Sequence, residues 1–238
     1  HLDSIWQESR SCVRQLRACV ALPRRHAIFA CGAYAISGGL GGLGLRSAML
    51  LVDGDASRVL LASRGGRVGR DEQGLEAQLS LLGTFAAVTA CDTGCTSDLS
   101  SLLLMSVLAG VLHAAGVLHD RMVRSMASEQ ISAAFESKAF GASRMHAAAA
   151  HSPYEVMGLF SSVAATFGSV GQANYAAANA SLDVVAQSRR ARGNIGSSLQ
   201  IPAVGGAGMG AATFDKSELE SIGGVSHDEF AACLRASL

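Results

Sequence analysis

The stretch that most constrains the fold is Val156–Phe160, a run without a polar side chain. Such a run needs burial on both faces, as an inner strand of a parallel sheet has. It ends in two hydroxyls, Ser161 and Ser162. A glycine-containing loop follows, then an alanine-rich helix that begins near Gln172, runs to about Arg192 and is capped by Gly193. On that helix Tyr175 and Asn179 are an i, i+4 pair and share one face. A strand-end hydroxyl is thereby brought near a phenol, beyond the carboxyl ends of the strands, where open α/β sheets carry their chemistry. The expected fold class is α/β: a Rossmann-like, doubly wound parallel sheet flanked by helices in three α/β/α layers.

The rest of the chain reads as the same alternation. Ala33–Ser37 is a short strand that runs into Ser37-Gly-Gly-Leu-Gly-Gly-Leu-Gly and a helix through Leu51. Glycines at a strand-to-helix turn let backbone N–H groups approach a pyrophosphate at the positive end of the helix. Arg58–Ser63 reads as the second strand, and the following Arg64 favours the 2′-phosphate of NADP over the free hydroxyl of NAD. Further strands are predicted at Phe85–Ala90, which ends at Cys91-Asp92, at Val107–His113 before Ala114-Ala-Gly, and at Ile195–Ile201. Helices are predicted over Leu75–Leu82, over Ser128–Ala150 with Lys138 on it, and over Ser226–Leu238, where Ser226 and Glu229 form a cap. Residues 1–25 contain a possible helix, and Leu22–Arg25 is a connector. Gly205–Gly224 is glycine-rich with one amphipathic patch, which suits a mobile lid over a substrate.

With 238 residues, 49% hydrophobic and 16% charged, the chain suits one globular α/β domain. Zero formal net charge argues against a general electrostatic claim on nucleic acid or anionic membrane. Leu102–Leu112 is apolar but too short to span a bilayer. The six cysteines lack paired metal-ligand spacing, so no metal is expected and buried free thiols in a reducing, cytoplasmic setting are the simpler account. No signal peptide is visible at the start, but the chain opens mid-sequence, so excision from a larger protein and a lost targeting segment are both compatible with it.

The order Lys138, Ser162, Tyr175, Asn179, with the phrase Gly171-Gln-Ala-Asn-Tyr-Ala-Ala-Ala-Asn, resembles the ketoreductase domains of modular type I polyketide synthases, within the short-chain dehydrogenase/reductase superfamily. The resemblance covers about 34–209. It implies a 3-oxoacyl-[acyl-carrier-protein] reductase that uses NADPH in polyketide or fatty acid biosynthesis, with acyl carrier protein and other synthase domains as partners. Tyr175, Ser162, Lys138 and Asn179 would be its catalytic set. The implied cofactor set begins with Ser37, Gly38, Gly39, Leu40, Gly42, Leu43 and Gly44 of the glycine turn, then Ser63 and Arg64. It continues with Cys91, Asp92, His113, Ala114, Ala115, Gly116, Lys138, Ser161, Tyr175 and Pro202. His113 sits at a structural place in the family's His-x-Ala-Gly and is left out of the chemistry. Asp120, Phe167, Gln172, Asn174 and Val204 are the implied substrate and stereocontrol residues.

By the same resemblance residues 1–32 are a linker or the tail of a structural subdomain, and residues 33–238 are the NADP-binding catalytic domain, with the lid at 205–224. Val117-Leu-His-Asp resembles the Leu-Asp-Asp motif of B-type enzymes, with His119 in its middle. Phe167 stands where A-type enzymes carry tryptophan, so a D-configured hydroxyl is expected. Cys95 replaces a second aspartate of the adenine loop, and Ile201-Pro202 replaces a common Trp-Gly. Two alternatives remain open at this point: a free-standing dehydrogenase of small ketones or alcohols, and a catalytically inactive NADP-binding scaffold. Oligomeric state is left open.

Overall fold

The computed structural model describes residues 4–7, 10–13, 31–69, 73–149, 154–213 and 215–238. Ser4–Gln7 (β1) and Arg10–Val13 (β2) pair antiparallel, with Ser4 opposite Val13. Strands thus stand where the sequence reading placed a helix. Ile5, Trp6 and Val13 are residue types that suit a pleated ribbon. The rest of the expected helix and the connector Leu22–Arg25 lie outside the described residues.

The main unit alternates strand and helix. Ala33–Ser37 (β3) leads through the glycine turn to Gly42–Asp53 (α1), then Arg58–Ser63 (β4), Leu75–Leu82 (α2), Ala86–Ala90 (β5), Thr96–Leu104 (α3) and Leu108–His113 (β6). Ser128–Phe135 (α4) and Gly141–Ala148 (α5) precede Val156–Ser162 (β7). Ala164–Phe167 (α6), Ala173–Ala191 (α7) and Ser197–Ile201 (β8) follow, then Met209–Thr213 (α8), Lys216–Ser221 (α9) and His227–Ser237 (α10). Six strands form one parallel sheet in the order β5-β4-β3-β6-β7-β8. Counted from β3, that is the doubly wound order 3-2-1-4-5-6, whose direction reverses between β3 and β6. The crevice for a ligand therefore opens beyond Ser37 and His113, which are register partners at the ends of those two strands.

Alternation along β3 divides the core. Tyr34 and Ile36 face a cluster with Leu45 and Leu51 of α1 and Phe230 and Leu234 of α10. Ala33 and Ala35 face another with Leu99 of α3, Met145 of α5 and Leu182 of α7. The sheet is thus covered on both faces, which gives the three layers their physical basis. Every residue of β7 is buried, as its unbroken apolar run requires.

The structure departs from the sequence reading in several places. The long helix over Ser128–Ala150 is interrupted by a π turn at Glu136–Phe140, and Lys138 lies in that turn. The loop carrying Cys95 is short and becomes helical at Thr96; in it Asp92 accepts from Gly94 N–H at 2.8 Å and donates its own N–H to Asp98 at 3.1 Å. A short helix, α6, occupies part of the loop expected after β7. Of the described cysteine side chains, Cys91 alone is buried; Cys31 and Cys233 are exposed, and all four are free. Among the described residues no helix is long and apolar enough to cross a membrane.

Candidate active site

The carboxyl end of β7 and the first turns of α7 bring three side chains together. Ser162 is 8% exposed, and its Oγ accepts from Ala164 N–H at 3.2 Å, which leaves its own proton free to be donated. The Tyr175 phenol sits in this group, where the polar side chains of Asn179 and Ser162 pull its pKa down. Burial outweighs them, with a smaller push from Asp120, so the phenol stands above its ordinary value. Ser161, on the opposite side of the strand, donates to the Asn179 carbonyl at 3.2 Å and ties β7 to α7.

Lys138 arrives from the π turn. It is 3% exposed, and Nζ donates to the Phe160 carbonyl at 2.8 Å and lies 5.5 Å from the Tyr175 ring centroid. Desolvation lowers its pKa to about 8, partly opposed by Asp183. Asn179 is fully buried. Its Nδ2 donates to the Tyr175 carbonyl at 2.8 Å, and Oδ1 has no partner among the described residues. An acceptor left bare in a buried site is costly, about 1–3 kcal/mol, and is available to a proton-relaying partner.

The other end of the cleft is the glycine turn. Gly38 has φ +68°, and a Cβ there would lie 2.7 Å from the Ala114 backbone. The first turn of α1 carries no acidic residue and no side-chain cap, so its N–H groups are free for an anion. Arg64 and Arg67 both line the cleft, and neither is in an ion pair among the described residues. The cleft measures about 790 Å³ and joins this turn to Ser162 and Tyr175. A cation-flanked glycine cradle opposite a Ser–Tyr pair fits a dinucleotide with a phosphate on its ribose.

Most of the residues named from the sequence reach this cleft. Gly38, Leu40, Gly42, Leu43 and Gly44 line its glycine-turn end with Ser63 and Arg64. Ala114, Ala115 and Gly116 form the floor beside Lys138, while Ser161, Gln172, Pro202 and Val204 line the far wall. Others do not reach it. Ser37 and His113 are buried and bonded to each other, Oγ to Nδ1 at 2.6 Å, so His113 does not face a cofactor. Gly39 packs against Leu61. Cys91 is buried, with its thiol pushed up to about 11 by desolvation. Asp92 is exposed outside the cleft wall. Phe167 is 61% exposed on α6 and is not part of the wall. Asp120 accepts from Gln172 Nε2 at 2.8 Å. Asn174 donates to the carbonyls of His119 and Gln130 and accepts Tyr175 N–H.

Two features were not read from the sequence. Arg67 supplies a second cation, for which the only signal was a further arginine in the loop after β4. The segment 205–224 lies against the glycine turn: a Cβ on Gly42 would lie 2.8 Å from the Ala207 backbone. Gln73 holds Gly208 there at both its N–H (2.8 Å) and its carbonyl (3.3 Å).

The sequence profile of the KR domain matches residues 32–206, the span holding the glycine turn, Lys138, Ser162 and Tyr175. The chain belongs to the KR domain family. It is 41% identical over 167 residues to the polyketide synthase GfsA of Streptomyces halstedii, covering 68% of this chain and 2% of that protein. It is 35% identical over 218 residues to the spectinabilin polyketide synthase system protein NorB of Streptomyces orinoci, covering 87% of this chain and 10% of that protein. A solved A-type ketoreductase from a modular polyketide synthase superposes with a TM-score of 0.79 at 33% identity, covering 92% of this chain and 48% of that one. The KR domain thus spans about half of that solved chain and a small part of these synthases. It is a ketoreductase domain of the polyketide synthase type, in an oxidoreductase class that works with a nicotinamide cofactor.

Proposed function

We propose that this KR domain reduces a 3-ketoacyl thioester carried on acyl carrier protein to the 3-hydroxyacyl thioester, with NADPH as reductant. The observation that carries this reading is the convergence of Ser162 and Tyr175 on one cleft whose other end holds the glycine turn and Arg64. Gly38, Gly42 and the first N–H groups of α1 would hold the pyrophosphate, and Arg64 with Arg67 the 2′-phosphate. The bound dihydronicotinamide supplies the hydride.

This chain's own residues manage the carbonyl and its proton. Ser162 donates a hydrogen bond to the ketone oxygen and stabilises the charge that develops there. Tyr175 delivers its proton to the same oxygen. A lysine whose pKa lies near 8 can return a proton at neutral pH, and Asn179 Oδ1 orients that relay. In this geometry Ser162 and Asn179 poise the phenol, with Lys138 set against the ring and anchored to Phe160 rather than placed at the phenolic oxygen.

We assign the product a D-configured hydroxyl, on Asp120 and on Phe167 in place of tryptophan; the Gln172–Asp120 bond fixes the loop that carries this aspartate. The partners are acyl carrier protein and neighbouring synthase domains in the cytoplasm. Oxidation of NADPH with a 3-ketoacyl N-acetylcysteamine thioester, followed by chiral analysis, tests the assignment. Tyr175→Phe should abolish turnover and keep NADPH binding. NADPH binding by the native chain without turnover would overturn the reading, and an L-configured product would overturn the stereochemical part.

A further inference from the structure

His113 is wholly buried and does not reach the cleft, yet both of its ring nitrogens are engaged. Nε2 lies 3.0 Å from the Lys138 carbonyl. A carbonyl only accepts, so Nε2 carries the proton. Nδ1 is then a bare lone pair, and the Ser37 hydroxyl 2.6 Å away must donate to it. The Lys138 carbonyl also accepts from Gly141 N–H, an i→i+3 bond that caps the π turn. Gly141 makes room for the ring: a Cβ there would lie 2.9 Å from His113 Cε1. Burial and the charge of Lys138 hold His113 down to about 4, so it stays neutral with its tautomer fixed.

We propose that His113 is a positioning residue for Lys138, and that Ser37 at the head of the glycine turn sets which ring nitrogen holds the proton. The path runs from the glycine turn through the imidazole to the backbone of the π turn. It joins the nucleotide end of the cleft to the proton-relay lysine through the interior of the sheet. A π turn puts Lys138 at an angle that a regular helix would not, and the imidazole is the tertiary contact that holds it there. This inference rests on the proposed role of Lys138.

The test is designed so that it does not depend on turnover. The chain contains only two lysines, Lys138 and Lys216, and seven histidines, so selective isotope labels give few signals. In ¹⁵N-histidine spectra of the native chain, His113 should remain an Nε2–H tautomer across neutral pH. An Nδ1–H tautomer or an imidazolium would overturn the proposal, even if every variant fails to fold.

Asp183 and Tyr175 on α7 and His113 on β6 are the titratable groups that bear on Lys138. Asp183 and Tyr175 are kept in all variants. His113→Asn keeps an acceptor for Ser37 but cannot reach the Lys138 carbonyl. In ¹³C-lysine titrations its Lys138 midpoint should rise by about one pH unit toward the ordinary range, and kcat should fall roughly 10- to 100-fold. His113→Gln, which can place an amide donor near Nε2, should recover most of both. If His113→Asn leaves midpoint and kcat at native values, or if His113→Gln is as impaired as His113→Asn, the proposal falls. If the native chain reduces no ketone, the functional reading fails, while the tautomer and the lysine midpoint still decide this one.

Discussion

Gly116→Ala tests the lysine's placement most directly. A Cβ at 116 would lie 2.7 Å from Lys138 Cε, 3.3 Å from Nζ and 3.7 Å from Cδ. Ordinary carbon contacts begin near 3.4 Å, so Cε must retreat by roughly 0.7 Å. Lys138 is 3% exposed, and its Nζ is already 2.8 Å from the Phe160 carbonyl. A retreat of that size stretches the bond beyond useful N–H···O geometry. Loss of a hydrogen bond from a charged group is worth about 1.5–3 kcal/mol, or roughly 10- to 150-fold in rate if it is felt in the transition state. The Gly116 backbone is not in the left-handed region, so alanine itself is tolerated. Steady-state kinetics, NADPH fluorescence titration and a thermal melt should show a lower kcat, an intact fold and largely retained NADPH binding. A Gly116→Ala enzyme with native kcat would refute the argument that this stem has no room to move.

Arg64→Ala and Arg67→Ala should each weaken NADPH binding about tenfold and leave NADH unaffected, read by fluorescence titration with both cofactors. Gln73→Ala removes both bonds to Gly208. Hydrogen exchange at the Gly208 amide should rise roughly tenfold, with faster NADPH release. Lys138 titrates near 8 when folded, against 10.5 when unfolded, so the native state binds fewer protons between these values. Stability should rise with pH from 8 to 10.5, with the penalty, about 3 kcal/mol, fully present below 8. Urea melts of native protein and Lys138→Met should therefore converge as pH increases through that window.

The parts of this fold that were legible in the sequence are those fixed by local chemistry. An apolar run without interruption could only be an inner strand, and β7 is buried along its length. Ser226 and Glu229 form the capping box that their spacing indicates. The glycine turn and Tyr175 stand where strand–turn–helix order puts them. What was hidden depends on distant partners. Nothing local in Glu136–Phe140 indicates a π turn, because the imidazole that braces it comes from β6. Ser37 and His113 looked like a cofactor contact and a structural residue, and their bond appears only when β3 and β6 lie side by side. Lys138 was legible only as a member of the implied catalytic set; its anchor on the Phe160 carbonyl, and the burial that dominates the phenol, depend on strand β7 and could not be read locally.

The stitching around Asn174 bears on domain engineering. Its side chain grips the His119 and Gln130 carbonyls while Gln172 holds Asp120, and Arg121 N–H reaches the Gly171 carbonyl at 2.7 Å. The segment after β6 and the start of α7 therefore behave as one exchangeable cassette. Grafts meant to invert product configuration should carry 117–121 together with 171–174, because the Gln172–Asp120 side-chain hydrogen bond needs both partners and swapping either segment alone would leave one of them unpaired.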